Sequence, residues 1–163
     1  MSTEYDGTVE QVHRAFADER YWQARLADSG ADDAILEALE ISPDGAIAVT
    51  TTQVLRRDRL PGIVTQFHRG DLRIGRRENW SPVDGRRATA QVSGDIEGAP
   101  VTLGGDAVMT PNGAAAAHLV FHGTVEVRVP LVGGKIESFI STQLVDLLIA
   151  EQRFTTHWLA GNV

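Results

Sequence analysis

The 163-residue chain has no cysteine, which excludes disulfides, thiolate catalysis and cysteine-based zinc sites at once. It has one lysine against 14 arginines, a skew that reads as codon bias rather than a chemical choice. No apolar run approaches the ~20 residues that a bilayer-spanning helix needs. The opening Met1-Ser2-Thr3-Glu4-Tyr5-Asp6 is acidic and lacks an apolar h-region, so no signal peptide is visible, and a soluble, cytoplasmic protein is expected. Catalytic signatures are missing as well: there is no G-x-S-x-G elbow, no H-E-x-x-H and no G-x-G-x-x-G after a strand. At this length one domain, residues 1–163, buries roughly 70% of its unfolded surface and needs no staples.

The net charge of −7 is unevenly spread. Residues 1–44 carry 11 acidic and 3 basic side chains, whereas residues 56–87 carry 9 arginines against Asp58, Asp71, Glu78 and Asp84. A basic band on an acidic protein can steer an anionic partner or lipid surface, although charge on sheet edges also serves simply to prevent association. The overall negative charge, without interleaved aromatic and basic residues, argues against nucleic acid.

What is present is punctuation. Ser42-Pro43-Asp44-Gly45, Ser81-Pro82-Val83-Asp84-Gly85 and Thr110-Pro111-Asn112-Gly113 each separate stretches of alternating apolar and polar residues. Proline presets φ at the first central turn position, and Asp-Gly or Asn-Gly supplies the positive φ that closes a hairpin. The middle of the chain therefore predicts an antiparallel meander. Before it, residues 3–6 predict a short strand, and Thr8 with Gln11 predicts a capping box ahead of the stripe Val9, Val12, Ala15 and Phe16. Asp18 caps a second short helix with Tyr21, Trp22 and Leu26 facing inward, ending near Ser29-Gly30. Period-two alternation begins at Asp33, placing Ile35, Leu39 and Ile41 on one face, then Ile47, Val49, Thr51, Gln53 and Leu55 on another. Residues 56–70 break the pattern and predict a loop over a helical turn. Four more strands follow, through Leu72–Trp80, Ala88–Ile96, Val101–Thr110 and Leu119–Val129. Gly133-Gly134 predicts a joint, and residues 135–159 a helix with Ile136, Phe139, Ile140, Leu144, Leu147, Leu148, Phe154 and Trp158 on its buried stripe. Such a helix, about 37 Å long, could cross the whole sheet.

Candidate chemistry is sparse. Gly133-Gly134-Lys135 fails as a phosphate loop, because Ile136 stands where Ser or Thr is needed and Val129 where the first glycine is needed. His118 and His122 lie on a predicted strand, some 13 Å apart and out of phase with Leu119 and Phe121, so no metal site is expected. Arg76 and Glu78 alternate with Leu72, Ile74 and Trp80 and point inward unless a bulge intervenes, and Gln143 and Glu151 sit on or beside the stripe of the last helix. Buried charge needs a partner or water, so these residues mark either a water-containing pocket or an ion pair at an open sheet end.

The element order is β-α-α-β6-α, which resembles the START-like (SRPBCC) superfamily with its helix-grip fold. Thr8-Val9-Glu10-Gln11-Val12-His13-Arg14-Ala15-Phe16-Ala17-Asp18, with Tyr21-Trp22 and Leu26, is similar to the opening of such domains. Thr51-Thr52-Gln53, Leu60-Pro61-Gly62, the run Val129 to Glu137, and Gln152-Arg153-Phe154-Thr155-Thr156 with Trp158 resemble an actinobacterial domain-of-unknown-function family within it. The resemblance implies an α+β fold, an antiparallel sheet wrapped around a long C-terminal helix, with a cavity of the kind that holds lipids, sterols, polyketides or hormones. It transfers no catalytic residue. The expectation is non-catalytic binding or carriage of an apolar small molecule or lipid, without metal or cofactor. The expected lining is Leu60, Phe67, Arg76, Glu78, Trp80, Phe121, Gln143, Leu147 and Glu151, with residues 56–70 as a lid. Two rivals stand beside it. One is a cyclase- or aromatase-like enzyme using Glu78 or Glu151, with Arg76 holding an enolate. The other is a protein- or membrane-interaction module acting through residues 56–87. Oligomeric state stays open.

Overall fold

The computed structural model describes residues 1–66 and 68–162. Seven strands form one antiparallel sheet: β1 (Ser2–Tyr5), β2 (Asp33–Ile41), β3 (Ile47–Leu55), β4 (Leu72–Trp80), β5 (Ala88–Ile96), β6 (Val101–Asn112) and β7 (Ala116–Val127). Their spatial order is β1-β7-β6-β5-β4-β3-β2, so β2 to β7 meander and β1 returns to pair with β7. The helices are α1 (Val9–Phe16), α2 (Glu19–Asp28), the one-turn α3 (Gly62–Thr65) and α4 (Gly133–Asn162). This is the expected α+β order, and the helical turn expected in the 56–70 loop is present as a 3-10 turn at Arg57–Arg59 followed by α3. Among the described residues, no helix is long and apolar enough to cross a membrane.

Local chemistry explains most element ends. The Thr8 hydroxyl accepts from the Gln11 backbone N–H at 3.2 Å while the Gln11 side chain accepts from the Thr8 N–H at 2.8 Å, the reciprocal capping box. Asp18 caps α2 through the Arg20 N–H at 2.9 Å. Between β4 and β5, Asp84 and Arg87 exchange two backbone hydrogen bonds of 2.9 Å across Gly85 and Arg86, both at positive φ (55° and 60°). That conformation matches the right-handed strand twist of a hairpin.

The structure departs from the sequence pattern at five places. Ile35 does not share a face with Leu39 and Ile41. The β2–β3 register slips between Leu36 and Ala38, so a bulge at Glu37 puts Leu36, opposite Thr51, on the inner face instead. Pro111 belongs to β6, opposite Ala117, and the turn falls beyond Asn112. Strand β7 ends at Val127, short of Val129. Gly133-Gly134 is no joint but the first turn of α4. A β-carbon at Gly133 would lie 2.8 Å from the Val127 carbonyl oxygen, so only glycine lets the helix start against the strand. Finally, the stripe of α4 is buried only in part. It packs on β7, β1, α1 and α2, and of its expected stripe only Ile136 is fully buried, joined by Thr155 and Leu159 near the other end.

The core lies under α1, α2 and the second half of α4. Phe16 meets Trp80, Tyr21 and Trp22 at ring-centroid distances of 5.1, 5.5 and 5.9 Å, and Tyr21 meets Phe154 and Trp158 at 5.8 Å. The buried Trp22 N–H donates to the Phe16 carbonyl at 2.7 Å, which satisfies its one polar atom.

Candidate functional site

Strand β4 pairs with β3 and β5 in unbroken register, so no bulge redirects Arg76, Glu78 and Trp80, and all three project to the inner face. Helix α2 brings Arg25 above them, because Arg25 follows Tyr21 by four residues and shares its buried face. Helix α4 brings Glu151.

The four charges interlock. Arg76 Nη2 lies 2.8 Å from Glu78 Oε1, and Arg76 Nη1 lies 2.7 Å from Glu151 Oε1. Arg25 Nη2 lies 2.5 Å from Glu151 Oε2 and 3.5 Å from Glu78 Oε1. Trp80 donates to the second oxygen of Glu78 at 3.0 Å, and the Arg25 guanidinium sits 4.6 Å from the Trp22 ring centroid. A hydroxyl relay continues from Arg25 Nη1 to the Tyr21 oxygen (3.5 Å), from Tyr21 to Thr155 Oγ1 (2.7 Å) and from Thr155 to the Glu151 carbonyl (2.8 Å). The side chains are only 5% (Glu78) to 15% (Glu151) exposed, and the quartet is neutral overall.

Burial by itself would raise the Glu151 carboxyl, but attraction to Arg25 and then Arg76 outweighs it and holds the group at about 2. Burial likewise works against the charge of both guanidiniums, and the carboxylates keep each above its ordinary range. One donor is left over. Arg76 Nε is buried and has no acceptor among the described residues.

Next to the quartet lies an internal hollow of about 50 Å³, walled by Phe16, Trp80, Phe121 and Leu148 and reached by Tyr5. That is room for a few waters, well below the ~300 Å³ at which small-molecule pockets begin. The Phe121 ring lies flat along the sheet because its neighbours lack side chains. A β-carbon at Gly123 would come within 2.6 Å of the ring and one at Gly105 within 2.8 Å.

Of the residues singled out in the sequence, the structure gathers Arg76, Glu78, Trp80, Phe121 and Glu151 around this hollow. Leu60 and Leu147 are half-buried elsewhere, in the 56–71 connection and on α4, and Gln143 is exposed to solvent on α4 rather than facing inward. Phe67 lies outside the described residues. Sequence reasoning missed Arg25, Tyr5 and Thr155. Arg25 had left a signal, a cation at helical spacing from Tyr21 on an otherwise apolar face. His118 and His122 sit opposite Thr110 and Asp106, and no group of three metal-ligating side chains occurs among the described residues. A second depression, about 490 Å³ between α2 and β2, is an open groove whose Asp32 is already engaged by Arg59 at 3.0 Å.

Comparison with known proteins locates the chain. The model of a family described as "Protein of unknown function (DUF2505)" matches residues 1–159. Uncharacterised proteins of Mycobacterium tuberculosis and Mycobacterium bovis are each 47% identical over 168 residues, spanning 100% of this chain and 97% of theirs. Among solved structures, a protein from Thermus thermophilus superposes with a TM-score of 0.61 at 15% identity, covering 100% of this chain and 97% of that one. A START superfamily protein from Mycobacterium smegmatis gives 0.56 at 12% identity, covering 97% and 96%. At such identities the likeness establishes the fold alone, and that fold is START-like.

Proposed function

The chain belongs to the family described as Protein of unknown function (DUF2505) and has the START-like fold, and from that premise we propose that it binds and carries an apolar small molecule or lipid between the sheet and α4, without transforming it. The observation that carries this reading is the unequal packing of α4. From residue 135 to 150 only Ile136 is buried. Phe139, Ile140, Leu144, Leu147, Leu148 and Ile149 are half-buried, and Val145 is 41% exposed. From residue 151 onward the helix is anchored by Glu151, Thr155 and Leu159. Half-buried apolar side chains along four turns forgo a large share of their transfer free energy, about 25 cal/mol per Å², which a guest lodged beneath them would recover.

Loading requires the hollow to grow, with the first half of α4 lifting about the anchored second half. Phe121, Trp80 and Leu148 would touch the apolar body of the guest, and Arg76, Glu78 and Glu151 would close its polar end. Leu60, Leu147 and Gln143 would meet it only at the opening. The cyclase reading is weaker. Glu78 and Glu151 are both engaged by two guanidiniums, and Glu151, held at about 2, is a poor proton acceptor or donor near neutral pH.

The test is native mass spectrometry of freshly purified protein, followed by solvent extraction and by titration with a fluorescent fatty acid. A stoichiometric adduct, or saturable uptake of the probe weakened by Leu148→Trp, is expected. A clean unliganded mass together with no saturable uptake would overturn the proposal.

A further inference from the structure

One end of the sheet carries a feature that the interior does not require. The register places Leu55, Leu72, Ile96, Val101 and Val127 at the same end, so the connections 56–71, 97–100 and 128–132 all emerge there. They are knitted into one rim. Arg128 N–H donates to the Pro100 carbonyl at 2.9 Å, which joins 128–132 to 97–100, and a β-carbon at Gly98 would touch His68 at 4.0 Å, which joins 97–100 to 56–71, itself closed by the Arg57 N–H donating to Asp71 Oδ1 at 3.0 Å.

At the crest stands Leu131, with a relative exposure of 103% and φ of 70°. The Val132 N–H donates to the Pro130 carbonyl at 2.9 Å, so Leu131 is the central residue of a γ-turn of the positive-φ kind, the rare and strained form. Backbone bonds on both sides hold it there, from Gly133 N–H to the Val129 carbonyl (3.0 Å) and from Ile136 N–H to the Val132 carbonyl (3.2 Å). A β-carbon in this conformation costs on the order of 1 kcal/mol relative to glycine. Nothing in the fold recovers that cost, because the side chain touches no core.

Along this rim the charge reverses sign. Segments 56–71, 97–100 and 128–135 carry Arg56, Arg57, Arg59, Arg69, Arg128 and Lys135 against Asp58, Asp71 and Glu97, a surplus of three cations on a protein of net charge −7. Arg57, Arg69 and Lys135 are exposed and form no ion pair among the described residues. The neighbouring acids Glu97 and Glu126 are taken up by Arg73 at 3.1 Å and Arg128 at 3.7 Å.

We propose that this rim docks on an anionic lipid bilayer, with Leu131 entering the acyl boundary and Arg57, Arg69 and Lys135 resting among the headgroups. A protein partner fits less well. Stable protein interfaces bury about 800 Å² per side around a packed apolar centre, whereas here one leucine stands alone among long, loosely held cations. A lone apolar tip on a cationic rim matches a fluid surface that is charged above and apolar beneath. The acidic remainder of the molecule makes the docking oriented and dependent on ionic strength.

The test is co-sedimentation of the full chain with phosphatidylcholine vesicles, with and without one third phosphatidylglycerol. Binding to the phosphatidylglycerol vesicles alone, falling steeply with added salt, is expected. The double variant Arg57→Ser/Lys135→Ser should bind about 25-fold more weakly, at about five-fold per cation. Leu131→Gly should bind roughly ten-fold more weakly while its thermal midpoint rises, because glycine relieves the positive φ. These opposite signs separate lost docking from lost folding. No binding to phosphatidylglycerol vesicles at low salt, or wild-type binding by both variants, would refute it.

Discussion

Four side chains from three elements that are distant in sequence meet in the interior, and their value lies in being complete. Removing one member of a buried ion pair typically costs 3–5 kcal/mol, since it leaves an uncompensated charge out of water. Glu151 touches both arginines, so Glu151→Gln should lower unfolding free energy at neutral pH by an amount in that range. The same residue sets an acid limit. Its carboxyl titrates at about 2 in the folded protein and near ~4.3 in the unfolded chain, so the unfolded state binds the extra proton first. The stability it contributes is fully present above the unfolded value and is lost as pH falls from about 5 towards 2. Urea unfolding midpoints measured across that window should decline in the wild type and decline less in Glu151→Gln. Equal slopes in the two proteins would show that the pairing does not hold Glu151 ionised.

Among the elements, α4 is the one whose two halves differ. Its second half is bound to β1, α1 and α2 through Thr155, Leu159 and Glu151, while its first half spreads apolar side chains that stay partly in contact with solvent. Local opening free energy follows buried apolar contact. Backbone amides of residues 138–149 should therefore exchange with deuterium markedly faster than those of 152–159. On the carrier reading, a bound fluorescent fatty acid should slow the first set and leave the second unchanged. Uniform exchange along the helix would remove the argument for a lifting half. Strand β2, with its bulge at Glu37 and its exposed Ile41, is the edge at the far side of the sheet. Its acidic Asp33, Glu37 and Glu40 discourage another strand from pairing there.

At the scale of the whole molecule, β1 opens the chain yet pairs with β7, and α4 closes the chain over both. Start and end are thus locked together, and neither half of the sheet has a core of its own. We expect a single cooperative unfolding transition, with tryptophan fluorescence and far-ultraviolet circular dichroism giving the same urea midpoint, because the helices and the sheet share one core cluster. Two separated midpoints would mean that the α4 layer melts independently of the sheet.

What the sequence determined by itself was everything governed by near neighbours. The Thr8–Gln11 capping box, the Asp18 cap and the turns at Gly45 and Gly85 all rest on contacts within a few residues, and all are in the structure. The alternation of β4 puts Arg76, Glu78 and Trp80 on one face, but the unbroken pairing with β3 and β5 is what keeps that face inward. The tertiary structure decided whatever depends on which strand or helix lies alongside. Ile35 and Leu36 exchange faces because pairing with β3 places the bulge at Glu37. Gly133 opens a helix because Val127 runs against it. Gln143 looks outward because the face of α4 turned to the interior runs through Leu144, Leu148, Glu151 and Thr155 instead. Arg25 becomes half of the charge balance only once α2 lies over β4. Periodicity assigns a residue to a face, but only the packing of one element on another decides whether that face meets a partner, a hollow or water.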